Sequence, residues 1–193
     1  MSKVIAITGN IACGKTTVSG YLKEMGYIVI DMDKIGHLVR DHPTVHAAFQ
    51  TEDVFDQQTG KIDRKKMGKL VFSDPAQRQK LDQLMKPLMF AKLDETLKKY
   101  ADKRLVFVEF ALLFESGEQD RFDATIVVYL DEQTQLERLM SRNGLTEEEA
   151  QKRINSQMPQ SEKIKRATYI IYNDGPPEAL FGKIAAILPN FRD

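Results

Sequence analysis

Residues Gly9-Asn10-Ile11-Ala12-Cys13-Gly14-Lys15-Thr16 set two glycines, a lysine and a threonine at the spacing G-x-x-x-x-G-K-S/T. Small residues let a backbone wrap closely around an anion, so that successive N–H groups converge on phosphate oxygens. A helix opening near Lys15 adds the positive end of its dipole. Lys15 can then reach the β- and γ-phosphates, the Thr16 hydroxyl can ligate Mg²⁺, and Thr17 follows in the same first turn. The strand-like run Val4-Ile5-Ala6-Ile7 precedes the pattern and an amphipathic segment follows it. In that context the spacing reads as a nucleoside triphosphate (ATP) site and not as a chance glycine turn. Cys13 lies inside the loop, where a helix N-terminus can acidify a thiol. The plainer account is a small residue tolerated where the loop is tight.

Such a loop does not by itself specify a reaction. No N-K-x-D guanine-reading motif is present, since Asn173-Asp174-Gly175 does not form one. A motor or nucleic-acid ATPase needs more chain, which leaves the small nucleoside and metabolite kinases. A kinase acting on a hydroxyl needs a carboxylate to orient it and take its proton, and further acids for Mg²⁺. Val29-Ile30-Asp31-Met32-Asp33 runs from buried apolar residues straight into two acids. Period-two alternation puts Asp31 and Asp33 on one side if the extended conformation persists; alternatively, one of them caps a helix beginning near Lys34. Val108-Glu109 ends another apolar run, so Glu109 faces Mg²⁺ or substrate, or else a solvent edge. Arg138 and Arg142 share a helix face at i, i+4, and Asn143-Gly144 ends that helix. Leu145-Thr146-Glu147-Glu148-Glu149 opens the next helix with a cap and acids in its first turn. Two helices joined by a tight turn, their arginines pointing one way, describe a lid that closes over a triphosphate.

These residues need a scaffold. Short β-branched runs at residues 3–8, 27–30, 104–110, 124–130 and 168–172 read as strands buried on both faces. Helical patterns cover residues 15–25, 34–40, 64–72, 75–101, 132–142, 147–157 and 177–188. Gly26 suits a helix end, Pro75 and Pro177 suit helix starts, and Pro87 should kink or divide the 75–101 helix. The expected fold is α/β: a five-stranded, mainly parallel sheet with helices on both faces, of the P-loop NTPase kind, carrying a helical substrate region and a helical lid. Residues 51–63, with Asp56-Gln57-Gln58-Thr59-Gly60, read as an exposed loop or hairpin-like excursion.

The whole chain of 193 residues is sized for one domain. Its 28 Lys and Arg balance 28 Asp and Glu. Zero net charge argues against nucleic acid or an acidic membrane as partner. One cysteine precludes an internal disulfide, and no apolar run reaches the ~20 residues of a membrane span. With no signal-peptide pattern, a cytoplasmic location is expected. Residues 61–104 nevertheless hold 13 Lys and Arg against 6 Asp and Glu, an excess of seven positive charges. That excess is either the solvated face of helices or a basic wall toward an anionic substrate.

Taken together, the chain resembles the dephospho-coenzyme A kinase family from Val4 to about Gly175. The resemblance is carried by Ile7-Thr8-Gly9 through Thr17, Val29 to Asp33, Leu112-Leu113-Phe114-Glu115-Ser116-Gly117 and Gln135 to Arg142. Arg153-Ile154-Asn155-Ser156-Gln157-Met158 and Ala167 to Asn173 complete it. The resemblance implies ATP and Mg²⁺ at the loop and phosphorylation of the ribose 3′-hydroxyl of dephospho-CoA. It also implies Asp33 as the hydroxyl-activating carboxylate, Arg138 in a lid over residues 136–157, and a CoA-side helical region within about 41–100. The chain departs from the family pattern at Asn10 and Ala12-Cys13 in the loop and at Thr168 to Asn173 in the last strand, and further departures touch the acceptor side. The family's His-Pro-Leu reads Lys86-Pro87-Leu88, and its Asp-x-Pro-Leu-Leu reads Glu109-Phe110-Ala111-Leu112-Leu113. Asp31, Asp33, Lys86 and Glu109 are therefore the candidate substrate contacts. A kinase for another small hydroxyl acceptor, such as a nucleoside or nucleotide, and a non-catalytic ATP-binding regulator are the competing functions.

Overall fold

The computed structural model describes residues 2–191. The chain folds as two compact units, Met1–Asp31 with Tyr100–Asp193 and, between them in sequence, Met32–Lys99.

The first unit is a five-stranded sheet of order β2-β3-β1-β4-β5. Its strands are β1 (Lys3–Thr8), β2 (Ile28–Asp31), β3 (Leu105–Glu109), β4 (Ala124–Tyr129) and β5 (Tyr169–Tyr172). All four pairings are parallel, with Ile7 opposite Glu109 across β1–β3 and Asp31 opposite Glu109 across β2–β3. Helix α1 (Lys15–Glu24) follows β1 and buries Val18 and Leu22. Those residues join Ile5, Ile7, Phe107, Ile126, Val128 and Ile171 in one core, which Leu180 and Ile184 complete from the last helix, Pro177–Ile187. Alternation along β1 explains the choice: Ile5 and Ile7 point one way, while Ala6 and Thr8, also buried, point the other.

The second unit holds α2 (Met32–Val39), α3 (Pro43–Phe49), α4 (Arg64–Ser73) and α5 (Pro75–Lys98). Its core collects Val45, Phe49, Val54, Ile62 and Met67. Asp63 caps α4 by accepting the N–H groups of Lys65 and Lys66, and those bonds hold its carboxyl below the usual range. The remaining helices belong to the first unit: α6 (Glu132–Asn143), α7 (Glu147–Asn155), α8 (Gln160–Arg166) and α9 (Pro177–Ile187). Helix α8 packs on β4.

Three points of the sequence reading need correction. Extended backbone stops at Asp31 and helix α2 begins at Met32, so strand alternation does not relate Asp31 to Asp33. Of the two outcomes expected at Pro87, division does not occur: α5 is one helix through it and ends at Lys98 instead of Ala101. Residues 51–63 fold back as the expected hairpin-like excursion, with Phe55 bridging Ile62 and residues 57–61 exposed, while Val54 and Ile62 are buried in the second core. Helices α3 and α8 escaped the periodicity reading, because each is only seven residues long.

Candidate active site

The loop between β1 and α1 carries positive φ at Gly9 (146°), Ala12 (64°) and Gly14 (98°). At Gly9 a side chain would run into the Val128 carbonyl, and at Gly14 into the Asn173 carboxamide. Both positions are closed to any larger residue. Gly14 is the N-cap of α1 and offers no capping side chain, which leaves the helix's first turn open to an anion. Lys15 Nζ arcs back over the loop and donates to the carbonyls of Gly9 at 2.8 Å and Asn10 at 3.0 Å. Thr17 closes the turn with its N–H on the Gly14 carbonyl at 3.1 Å, its side chain exposed.

The loop is held from outside by residues to which the sequence reading gave no role at the site. Gln157 accepts the Ile11 N–H at 2.7 Å, Gln135 donates to the Ile11 carbonyl at 2.8 Å, and Asn10 donates to the Met158 carbonyl at 3.1 Å. Gln160 is buried with all its valences used. Its Nε2 donates to Leu130 and Gln135, and its Oε1 accepts from the Leu130 N–H and the Cys13 thiol. Asn173 donates to the Cys13 carbonyl at 2.9 Å. A fully satisfied buried amide such as Gln160 fixes one geometry, because every alternative leaves a polar atom dry and unpaired. The available signal was weak: polar residues at positions where the helical period asks for apolar ones.

Burial raises the Cys13 thiol to about 11, against a smaller opposing pull from Lys15. An acidified, reactive thiol is thereby excluded. Because the folded value lies above the unfolded one, the unfolded chain loses this proton first. Stability from this group is full below about pH 9 and falls as pH rises toward 11. At pH 8 the native protein should therefore resist iodoacetamide, while the chain unfolded in guanidinium takes up one equivalent by mass spectrometry. Rapid labelling of the native chain would contradict the buried assignment.

Oxygen donors collect where three adjacent strands end. Thr16 Oγ1 donates to Glu109 Oε1 at 3.4 Å, and Asp31 lies opposite Glu109 in the β2–β3 register. This all-oxygen set fits Mg²⁺, which keeps much of its water and takes one or two carboxylates plus substrate phosphates. Among the described residues no group of three or more His, Cys, Asp or Glu forms a metal cage, and a nucleotide-bound Mg²⁺ requires none.

The other expected residues sit as follows. Arg138 and Arg142 lie on the exposed side of α6, with Leu139 buried behind them, and Arg142 Nε donates to Asn143 Oδ1 at 3.0 Å. Gly144, at φ 62°, ends α6, and Thr146 opens α7 with a full capping box to Glu149. Asp33 is in the first turn of α2 and Lys86 is exposed on α5, both in the second unit. Among the described residues no helix is long and apolar enough to cross a membrane.

A parallel sheet of order β2-β3-β1-β4-β5, whose first strand runs through an anion loop into a helix, defines a P-loop NTPase fold. Shikimate kinase from Bacteroides thetaiotaomicron shares the fold at TM-score 0.53 and 16% identity, over 99% of both chains. Dephospho-CoA kinase from Campylobacter jejuni aligns at TM-score 0.77 with 29% identity, over 100% of this chain and 98% of that one. A crystal structure of a Thermus thermophilus protein aligns at TM-score 0.86 with 36% identity, over 98% and 97%. The chain belongs to the dephospho-CoA kinase family, whose model matches residues 3–178. A dephospho-CoA kinase of Lactobacillus acidophilus is 40% identical over 200 aligned positions, covering 100% of this chain and 99% of the relative.

Proposed function

We propose that the chain transfers the γ-phosphoryl group of ATP to the 3′-hydroxyl of dephospho-CoA, the last step of coenzyme A synthesis. The observation that carries it is a complete phosphate loop, with Lys15 and the Thr16–Glu109 pair in place, in a chain matching that family along its length. In this reading the N–H groups of residues 9–14 cradle the phosphates, and Lys15 exchanges the Gly9 and Asn10 carbonyls for phosphate oxygens. Thr16, beside Glu109, would hold Mg²⁺, which would supply neutralisation of phosphate charge. Glu109 and Asp31 orient water and the acceptor around that position. Asp33 accepts the proton of the 3′-hydroxyl, and Lys86 contacts the acceptor from the helical region of residues 41–100. Arg138, on the lid of residues 136–157, steadies the transferring group, and Arg142 binds the nucleotide.

Family membership favours this reaction over another hydroxyl acceptor or a silent ATP-binding regulator. Incubation with ATP, Mg²⁺ and dephospho-CoA should yield a 3′-phosphorylated product by mass spectrometry. Its absence at saturating substrates, or equal turnover with unrelated nucleosides, would refute the assignment.

A further inference from the structure

Two residues of the phosphate loop and two of the segment between α7 and α8 hold each other reciprocally. Asn10 Nδ2 donates to the Met158 carbonyl at 3.1 Å, and the next loop residue, Ile11, donates its N–H to Gln157 Oε1 at 2.7 Å. Each segment gives one side chain to the backbone of the other, across 148 and 146 residues of sequence. The far segment is a firm anchor. The Met158 N–H is held by Glu115 at 3.0 Å, and Glu115 by the buried Lys163 at 2.8 Å. Gln160, two residues on, bonds Leu130, Gln135 and the Cys13 thiol.

Asn10 is 1% exposed, and its Oδ1 is buried with no hydrogen-bond partner. A small apolar residue there would carry no unpaired oxygen, so what the carboxamide contributes is its Nδ2 on Met158. Asn10 is also a position at which the chain departs from its family's pattern. The contact is therefore this chain's own addition to the loop.

We infer that Asn10 and Gln157 are positioning residues, a latch that sets the loop in its phosphate-binding shape before ATP arrives. Their side chains act through the backbone of the opposite segment and not on the reacting atoms. With the latch made, the loop's conformational freedom is lost on folding and not on binding, which tightens ATP. The latch is the same in the ground and transition states, so its loss falls on ATP affinity and not on kcat. The inference rests on ATP as the loop's ligand, as proposed above, and on nothing about the acceptor.

A double-mutant cycle tests this, with Kd for ATP measured by calorimetry in the absence of acceptor and kcat measured with dephospho-CoA. Asn10→Ala and Gln157→Leu should each raise Kd by about fivefold or more, with kcat at saturating ATP within about twofold. Either change frees the same pairing, so the double variant should bind no more than about twofold worse than the weaker single variant. In the ATP-free protein, hydrogen exchange should quicken together in peptides covering residues 9–17 and 156–163, and stay unchanged in residues 32–99. An unchanged Kd in Asn10→Ala, a fall in Tm or kcat without a rise in Kd, or a double variant whose loss is the product of the two singles overturns the latch. A wild-type chain that binds ATP but gives no product from dephospho-CoA overturns instead the proposed reaction, since the Kd comparison does not involve the acceptor.

Discussion

Asp33→Asn should lower kcat on the order of 10³-fold while leaving ATP affinity within about twofold. Asparagine keeps the size and the hydrogen-bonding reach of the side chain but cannot take a proton. The loss therefore falls on the step in which the acceptor hydroxyl becomes a nucleophile. Lys15→Ala should differ in kind. Its ammonium holds two loop carbonyls at 2.8 and 3.0 Å and is placed to move to phosphate, so both the Kd for ATP and kcat should worsen, by about ten- to a hundredfold in binding. Equilibrium nucleotide binding together with single-turnover phosphoryl transfer separates the two. Undiminished turnover by Asp33→Asn would remove the assigned base. A matching loss of ATP affinity would move Asp33 to the nucleotide.

Glu115→Leu should destabilise the protein by about 3–5 kcal/mol, the usual cost of stranding a buried charge. Lys163 is fully buried, pairs with Glu115 at 2.8 Å, and also donates to the Ala111 carbonyl at 3.2 Å. Glu115 is 22% exposed, so Lys163→Met leaves a carboxylate that water still reaches and should cost less. At this chain length each kcal/mol moves Tm by about 2–4 °C, a drop on the order of 10 °C for Glu115→Leu. The double variant, with no stranded charge, should melt above the Glu115→Leu single variant. If it does not, the pair is not what the substitution disrupts. Glu115 also accepts the Met158 N–H at 3.0 Å, and Met158 in turn holds Asn10 of the phosphate loop. Loss of stability should therefore bring weaker ATP binding with it.

Both predictions depend on residues whose legibility in sequence differed. Asp33 was found because two acids follow an apolar run. Its place in a helix and not in the strand was not legible, since a four-residue strand gives alternation too little length to show where it stops. Lys163 and Gln160 lie in a short, charged helix whose sequence carries no sign of burial. Only packing on β4, with partners more than 20 residues away, makes them interior. The local excess of positive charge likewise resolved in three dimensions. Lys66, Lys92 and Lys99 pair with Asp53 and Glu95 at the surface, whereas Arg64 joins Arg40, which lies outside that segment, on a cleft lined by α2, α4 and α5.

What the sequence determined alone was the local chemistry. Glycine at two positive-φ positions, lysine and threonine at fixed offsets, caps at helix ends and β-branched runs act over a few residues, so their meaning survives without knowledge of the rest of the chain. What the tertiary structure decided was which distant groups complete them. Parallel strand order brought Glu109 to Thr16 across 93 residues, and buried amides from residues 135–173 clamped the phosphate loop. Three helix faces left a cleft open beside Asp33. Hydrogen bonds and ion pairs between distant segments leave no periodic trace in either one, and only the fold sets their distance.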